Sequence, residues 1–126
     1  MYTAIQLLRE GEKFGIISTG DVWKGVLEEA VRRDVLGVER AGKVFVGVET
    51  VGVDAGGLEG GEVEGRVRGA VGRLVGGGRV GVVVLGCAGM VGMEGWVRDV
   101  VGEGVRVVDG VKAGVGVLQG LVRGGF

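Results

Sequence analysis

The sequence contains no histidine, proline or asparagine, and it has one cysteine among its 126 residues. A dedicated zinc or iron site needs several imidazole or thiolate ligands, and this chain has too few of them. One cysteine also cannot form an internal disulfide, which fits a reducing compartment. We therefore expect a cytoplasmic protein without a dedicated zinc or iron site.

A large excess of charge and long apolar runs are also missing. The 15 basic residues nearly balance the 16 acidic ones, which makes nucleic acid and anionic membrane surfaces poor candidates for partners. The apolar runs fall well below the ~20 residues that a membrane-spanning helix needs. The opening residues, MYTAIQLLRE, have no long apolar stretch, so we expect no secretory signal there.

Glycine, by contrast, accounts for 31 residues. No Gly-X-Y period accompanies it, which excludes a collagen-like chain. Glycine, valine, alanine, aspartate and glutamate all have codons that begin with G, and we attribute their abundance to nucleotide bias in the gene. Each glycine within a helix costs about 0.5–1 kcal/mol relative to alanine. A helix that contains Gly65, Gly69, Gly72 and Gly76 should therefore be only marginally stable.

The length fits one domain, residues 1–126, in which strands alternate with helices. Short apolar, β-branched segments without polar alternation are predicted to be buried strands: Phe14–Ser18, Val44–Val48, Val80–Leu85 and Val105–Val108. Apolar residues at helical spacing predict helices over Val22–Val35, Gly61–Val75, Val91–Val101 and Val111–Val122. This alternation is typical of a three-layer α/β fold, with a four-stranded parallel sheet and helices on both faces.

Ligands of such sheets bind just beyond the carboxyl ends of the strands. This rule selects Ser18-Thr19-Gly20-Asp21 after the first strand, Gly86-Cys87-Ala88-Gly89-Met90 after the third, and Asp109-Gly110 after the fourth. We expect all three segments to lie on one edge of the sheet. The longest irregular segment, Glu49–Gly60, follows the second strand and is expected to form a loop over the same edge.

Cys87 is the most informative single residue. It follows the strand Val80–Leu85, and a helix is predicted a few residues later, where the amides of a helix N-terminus favour a thiolate. Gly86 and Gly89 leave the backbone around the thiol uncovered, so its N–H groups can point at an anion or a carbonyl oxygen. A thiolate beside such donors can remove a proton from the carbon next to a carbonyl. Spacing alone gives equal weight to a cysteine that merely fills the core.

Two parts of the sequence resemble a known enzyme family. The segment VVVLGCAGM, which contains Cys87, is followed by a predicted helix and then by VRVVDGVKAGVGVLQGLV. This order resembles the second catalytic motif, closing strand and last helix of hydantoin and allantoin racemases, within the Asp/Glu racemase superfamily. The segment KFGIISTGDVW is similar to the strand and threonine-rich loop that begin the second domain of those enzymes. Met1–Arg9 corresponds in this resemblance to the helix that leads into that domain.

The resemblance implies a cofactor-independent isomerase that racemises a small molecule, a cyclic ureide such as hydantoin or allantoin. In such a two-base racemase one cysteine thiolate removes the α-proton, and a second thiol returns a proton to the opposite face. The resemblance implies that Cys87 is one of these two catalytic cysteines. The substrate-binding residues that the resemblance implies are Ser18, Thr19, Gly20, Ala88 and Gly89.

The chain departs from the family in one large respect. Family members have two similar domains that each supply a cysteine, whereas this chain resembles the second domain only, and we expect it to be truncated. With one thiol, the isolated monomer is expected to racemise poorly or not at all. A homodimer that brings two Cys87 thiols face to face would restore the pair, as would a missing N-terminal half.

Two other functions and two residue interpretations stay open. The chain is alternatively a non-catalytic or truncated ligand-binding remnant of the family, or an aspartate or glutamate racemase, which needs strong cationic recognition of a second carboxylate. Ser18 and Thr19 either contact a ligand or cap the helix that begins near Val22. Asp109 either tunes the charge of the site or, as we favour, caps the last helix.

Overall fold

The fold is built on a sheet of four parallel strands, seen in a computed structural model that describes residues 1–58 and 60–126. The strands are β1 (Lys13–Ser18), β2 (Phe45–Thr50), β3 (Val80–Leu85) and β4 (Arg106–Asp109). They are arranged in the order β2-β1-β3-β4, and each neighbouring pair is parallel. The predicted parallel sheet is therefore confirmed.

Helices cover both faces of this sheet. The α-helices of the described residues are α1 (Tyr2–Gln6), α2 (Val22–Glu29), α3 (Val38–Val44), α4 (Glu62–Val75), α5 (Glu94–Val101) and α6 (Gly110–Arg123). A π-helical segment, Ala30–Val35, continues α2, and 3-10 turns cover Ala55–Gly57 and Ala88–Met90. Helices α4 and α5 lie on one face, and α1, α2, α3 and the first turn of α6 lie on the other. None of the helices in the described ranges is long and apolar enough to cross a membrane.

Side chains along each strand alternate between two separate apolar cores. In β3, Val83 and Leu85 belong to the core beneath α4 and α5, whereas Val82 and Val84 belong to the core beneath α1, α2 and α3. Every residue of β3 is buried. Because both faces of the sheet are covered, its strands read as continuous apolar runs rather than alternating ones.

The boundary of α5 differs from the prediction. The helix predicted over Val91–Val101 begins at Glu94, because Gly92 has a φ of 90° and Val91 has a ψ of 128°, and neither angle is helical. The helical residues that directly follow β3 are instead those of the 3-10 turn Ala88–Met90. Cys87 therefore precedes a short turn rather than the first residue of α5.

The segment predicted as a loop over the carboxyl edge is partly strand and partly loop. Strand β2 takes up its first two residues and ends at Thr50, and Glu59 lies outside the described residues. The backbone N–H groups of Val51 and Gly52 donate to the carbonyl oxygens of Ser18 and Thr19, at 3.0 and 3.2 Å. The loop after β2 is thus joined to the loop after β1 at the carboxyl edge.

The order of the strands creates a crevice at that edge. The chain moves from β1 to β2 on one side of the sheet and then crosses to β3 on the other side of β1. Connections of opposite direction therefore leave the carboxyl ends of β1 and β3, which are neighbours in the sheet. Open α/β sheets bind ligands at such a reversal, so the ends of these two strands are the first place to look for a site.

An ion pair at the opposite edge joins β4 to the segment before β1. The Arg106 guanidinium bonds the carboxylate of Glu12 and donates to the backbone oxygen of Leu7 at 2.7 Å. The hydrogen bond from Arg106, helped by one from the Arg9 N–H, lowers the pKa of Glu12 from 4.5 to about 2. The pair therefore stabilises the fold while Glu12 is ionised.

We expect Glu12→Gln to lower the melting temperature at neutral pH, because it removes this ion pair. Since the folded pKa lies below the ordinary value, the contribution is present above pH 4.5 and is lost as the pH falls toward about 2. The difference in melting temperature between wild type and variant should therefore shrink over that range, as followed by circular dichroism. Arg106→Gln should show the same profile. A difference that stays constant with pH would contradict this role.

Alanine in place of exposed glycines of α4 should stabilise the protein. A Cβ added at Gly65 or Gly72 meets no other atom within 4 Å, so each substitution should raise the free energy of unfolding by about 0.5–1 kcal/mol. Gly76 follows the last residue of α4 and is not part of this test. Gly15→Ala is the contrasting control, because its Cβ would lie 2.7 Å from the Leu74 side chain. Urea denaturation measures all three, and a lower midpoint for the α4 variants would show that this account of the helix is wrong.

Candidate active site

Cys87 lies at the carboxyl edge of the sheet, just beyond the end of β3. Its backbone is extended, with φ −126° and ψ 136°, and the residue is half-buried. The side chain packs against the edge of the core beneath α4 and α5, and the residue also lines a cavity of about 360 Å³ beside the other core. The residue is thus not enclosed among aliphatic side chains.

The walls of this cavity are apolar and come from several elements. The wall includes Met1, which precedes α1, and Leu27 of α2. Val111 of α6 and Ile16 of β1 form other parts of it. Among the described residues, those that line it carry no charged side chain. Sequence reasoning missed Leu27 and Val111 as site residues. Val111 lies just beyond β4, where the edge rule could have found it, whereas no local pattern distinguishes Leu27.

Gly86 sets the position of Cys87 relative to β1. A Cβ at Gly86 would lie 2.7 Å from Ile16 Cγ2 and 3.9 Å from Ser18 Cβ, so a larger residue would push the two strands apart. The Gly86 N–H donates to the Ile17 carbonyl oxygen at 2.8 Å. The residue that follows, Cys87, is therefore held beside the carboxyl end of β1.

The turn after Cys87 presents free backbone amides. The Cys87 carbonyl oxygen accepts from the Met90 N–H at 3.0 Å, and the Ala88 carbonyl oxygen accepts from the Val91 N–H at 3.2 Å. Within the part of the chain that the structure describes, the N–H groups of Ala88 and Gly89 have no such acceptor, and both residues are exposed. Amides in this position can bind an anion or a negatively charged oxygen.

The residues predicted from the first loop lie deeper than Cys87. Ser18 and Thr19 are buried, with 3% and 2% of their surface exposed, and neither lines the Cys87 cavity. Ser18 is nevertheless next to Gly86, whereas Gly20 is packed beside the Asp54 carboxylate. The capping interpretation of Ser18 and Thr19 is wrong, because the residue at the N-cap of α2 is Asp21.

Asp109 caps α6, as we favoured from the sequence. Its Oδ1 accepts from the N–H groups of Val111 and Lys112, at 2.8 and 3.1 Å. Its Oδ2 is buried without a hydrogen-bond donor among the described residues, and it lies 3.7 Å from Lys112 Nζ. Lys112 is also hydrogen-bonded to Glu94, which raises the pKa of Lys112 and lowers that of Glu94. This lysine is therefore engaged by two carboxylates.

A larger open groove of about 820 Å³ lies at the end of β2, between α2 and α4. Four of its charged side chains already have partners, since Glu49 bonds both Lys24 and Arg73, and Asp21 accepts from the Thr50 hydroxyl. The described residues also include no group of three acidic, cysteine or histidine side chains that could hold a metal ion. The one cysteine of the sequence lines the smaller cavity and not this groove, so the Cys87 cavity is the better candidate site.

Comparison with known proteins gives three findings. A family model described as Asp/Glu/Hydantoin racemase matches residues 1–118. The crystal structure of allantoin racemase from Pseudomonas fluorescens matches with a TM-score of 0.74 and 26% sequence identity, over 99% of this chain and 50% of that one. An uncharacterized protein of Schizosaccharomyces pombe is 48% identical over 42 residues, which are 33% of this chain and 18% of its own length. The chain thus spans about half of the racemase chain that it matches.

Removal of the Asp109 cap should destabilise α6. We expect Asp109→Ala to lower the free energy of unfolding by about 1 kcal/mol, because two amides lose their acceptor. Asp109→Asn keeps an acceptor oxygen and is the matched control, with a smaller loss. Urea denaturation and helical ellipticity measure both. Equal losses in the two variants would show that the charge beside Lys112, and not the cap, provides the stability.

Proposed function

The chain belongs to the Asp/Glu/hydantoin racemase family, and on that premise we propose that it is a cofactor-independent isomerase with Cys87 as its catalytic thiol. The observation that carries this proposal is the position of the residue, half-buried at a cavity beside the carboxyl ends of β1 and β3. Ligands of α/β sheets bind at this place. The match to the allantoin racemase structure supports a racemase-type reaction.

The chemistry is a proton transfer at carbon. The Cys87 thiolate takes the proton from the α-carbon of the substrate and becomes a thiol. The electron pair of the broken C–H bond moves toward the adjacent carbonyl, whose oxygen becomes negatively charged. The N–H groups of Ala88 and Gly89 stabilise this oxygen with charge-assisted hydrogen bonds. A proton returned to the opposite face gives the other enantiomer, and one returned to the same face gives exchange without inversion.

A small uncharged cyclic ureide, such as hydantoin or allantoin, is the substrate class that the cavity favours. The volume of the cavity, about 360 Å³, suits a small ligand. Within the described part of the chain its lining carries no charged side chain, and Lys112 is engaged by Glu94 and Asp109. A free aspartate or glutamate would bring a second carboxylate against walls whose side chains offer no cationic partner, so an aspartate or glutamate racemase ranks lower.

A second thiol as proton donor has to come from outside one copy of the 126-residue chain. The sequence contains one cysteine, which provides a base for one face of the substrate and leaves the other face without an acid. We propose a homodimer in which a second Cys87 serves the opposite face, since twofold pairing is the commonest assembly of identical chains. A domain equivalent to the unmatched half of the allantoin racemase chain would serve the same purpose.

Each enantiomer of allantoin and of a 5-substituted hydantoin, incubated with the protein in heavy water, tests the proposal. We expect deuterium at the α-carbon, followed by nuclear magnetic resonance. Cys87→Ser should slow this exchange by about 10²–10⁴-fold, the usual contribution of a general base. Alkylation of the wild-type thiol with iodoacetamide should have the same effect.

Lys112→Gln is the matched control, because it removes a charge from the same edge of the sheet and keeps the thiol. It should exchange at the wild-type rate, and circular dichroism should show that both variants are folded. Exchange by Cys87→Ser at the wild-type rate would contradict the catalytic role. Binding of the ureides without any exchange by the wild type would favour a ligand-binding remnant instead.

A further inference from the structure

Helix α6 is covered by little else in the described part of the chain. None of its 14 residues is buried, although Ala113 packs against the core beneath α1, α2 and α3. Its apolar residues Val111, Val115, Leu118 and Val122 are spaced by four, three and four positions, which is typical of a helix face that packs against another surface. Leu118 is nevertheless 63% exposed and Val122 is 74% exposed. Soluble proteins seldom leave such a stripe in contact with water.

A second exposed apolar face lies on α2. Val22, Trp23 and Val26 are 71%, 48% and 54% exposed. Helix α2 contributes Leu27 to the wall of the Cys87 cavity, and α6 contributes Val111. Each of these two helices therefore has one residue in the cavity wall and an exposed apolar face. We refer to them together, Val22, Trp23 and Val26 with Val115, Leu118 and Val122, as the flanking surface.

Two lysines near the flanking surface are already paired with carboxylates. Lys24 of α2 is paired with Glu49, and Lys112 of α6 is paired with Glu94. The apolar side chains of this surface fit a partner that is itself apolar at the contact. A second copy of the chain has this property, because it carries the same surface and can meet it around a twofold axis.

From these observations, and resting on the proposed function, we infer that the flanking surface binds a second copy of the chain and thereby closes the Cys87 cavity. Two features select this occupant. The site has one thiol where two-sided proton transfer needs two groups. The chain also spans half of the allantoin racemase chain that it matches. A second copy would therefore be an α/β domain about as long as the unmatched half of that racemase.

Sedimentation velocity of the 126-residue chain tests the inference. The wild type should sediment as a dimer. Leu118→Glu on α6 and Val26→Glu on α2 should each raise the dissociation constant at least about tenfold, because each puts a charge into the apolar contact. Val38→Glu is the matched control, since Val38 is 77% exposed on α3 and lies outside the flanking surface. This control should dimerise like the wild type.

Circular dichroism should show that all three variants are folded, as expected for substitutions of exposed side chains. A wild-type chain that stays monomeric up to about 1 mM overturns the inference. So do Leu118→Glu and Val26→Glu variants that dimerise as tightly as Val38→Glu.

Cys87→Ser separates this inference from the proposed function, because its dimerisation should equal that of the wild type whatever its activity. A dimeric wild type that exchanges no proton rejects the catalytic role of Cys87 and leaves the interface intact. The second copy closes the site if the monomeric Leu118→Glu variant still exchanges the α-proton but no longer inverts the configuration at the α-carbon. Inversion by that monomer at the wild-type rate overturns this closure.

Discussion

At the carboxyl edge of the sheet, the backbone of Gly86 lies so close to Ile16 that a side chain between them would force the strands apart. The contact holds the ends of β1 and β3 together where the chain reverses its direction across the sheet. The position of Cys87, and of the free amides that follow it, is consequently fixed by β3, which precedes it, and by β1, which is hydrogen-bonded to Gly86. Groups held by rigid elements keep a precise geometry, which the proposed proton transfer would require.

Much of this arrangement follows from local sequence, and the rest depends on packing between distant elements. The valine-rich strands were predicted because a strand covered on both faces has a recognisable composition, as in Val80–Leu85. The start of α5 was missed because the φ of Gly92 is set by the loop and is not encoded in apolar spacing. The burial of Thr19 was also missed, since it depends on the loop after β2, which bonds to this segment from a distant part of the chain. Leu27 joins the cavity only through the packing of α2 against the sheet.

The single thiol and the exposed helix α6 are related because both contribute to the same cavity. They converge at Val111, which belongs to the apolar stripe of α6 and also lines the cavity beside Cys87. Association across this surface would bury the stripe and enclose the site in one step. It would also add stability to a chain whose glycine-rich helices provide little of their own, because whatever binds only the folded state stabilises it.

The division of the interior into two cores has a consequence for how this fold can change. The side chains that α4 contributes to its core, such as Val67 and Val71, lie on the far side of the sheet from the cavity walls at Ile16 and Val84. Substitutions in the two layers are separated by the sheet and share few contacts, so their effects on stability should be close to additive. The layer beneath α4 and α5 can accumulate stabilising changes away from Leu85 and Cys87, which also line the cavity, while the other layer varies the shape of the cavity walls. A protein engineer would find in this chain two apolar layers that are separated by four strands and meet beside Cys87.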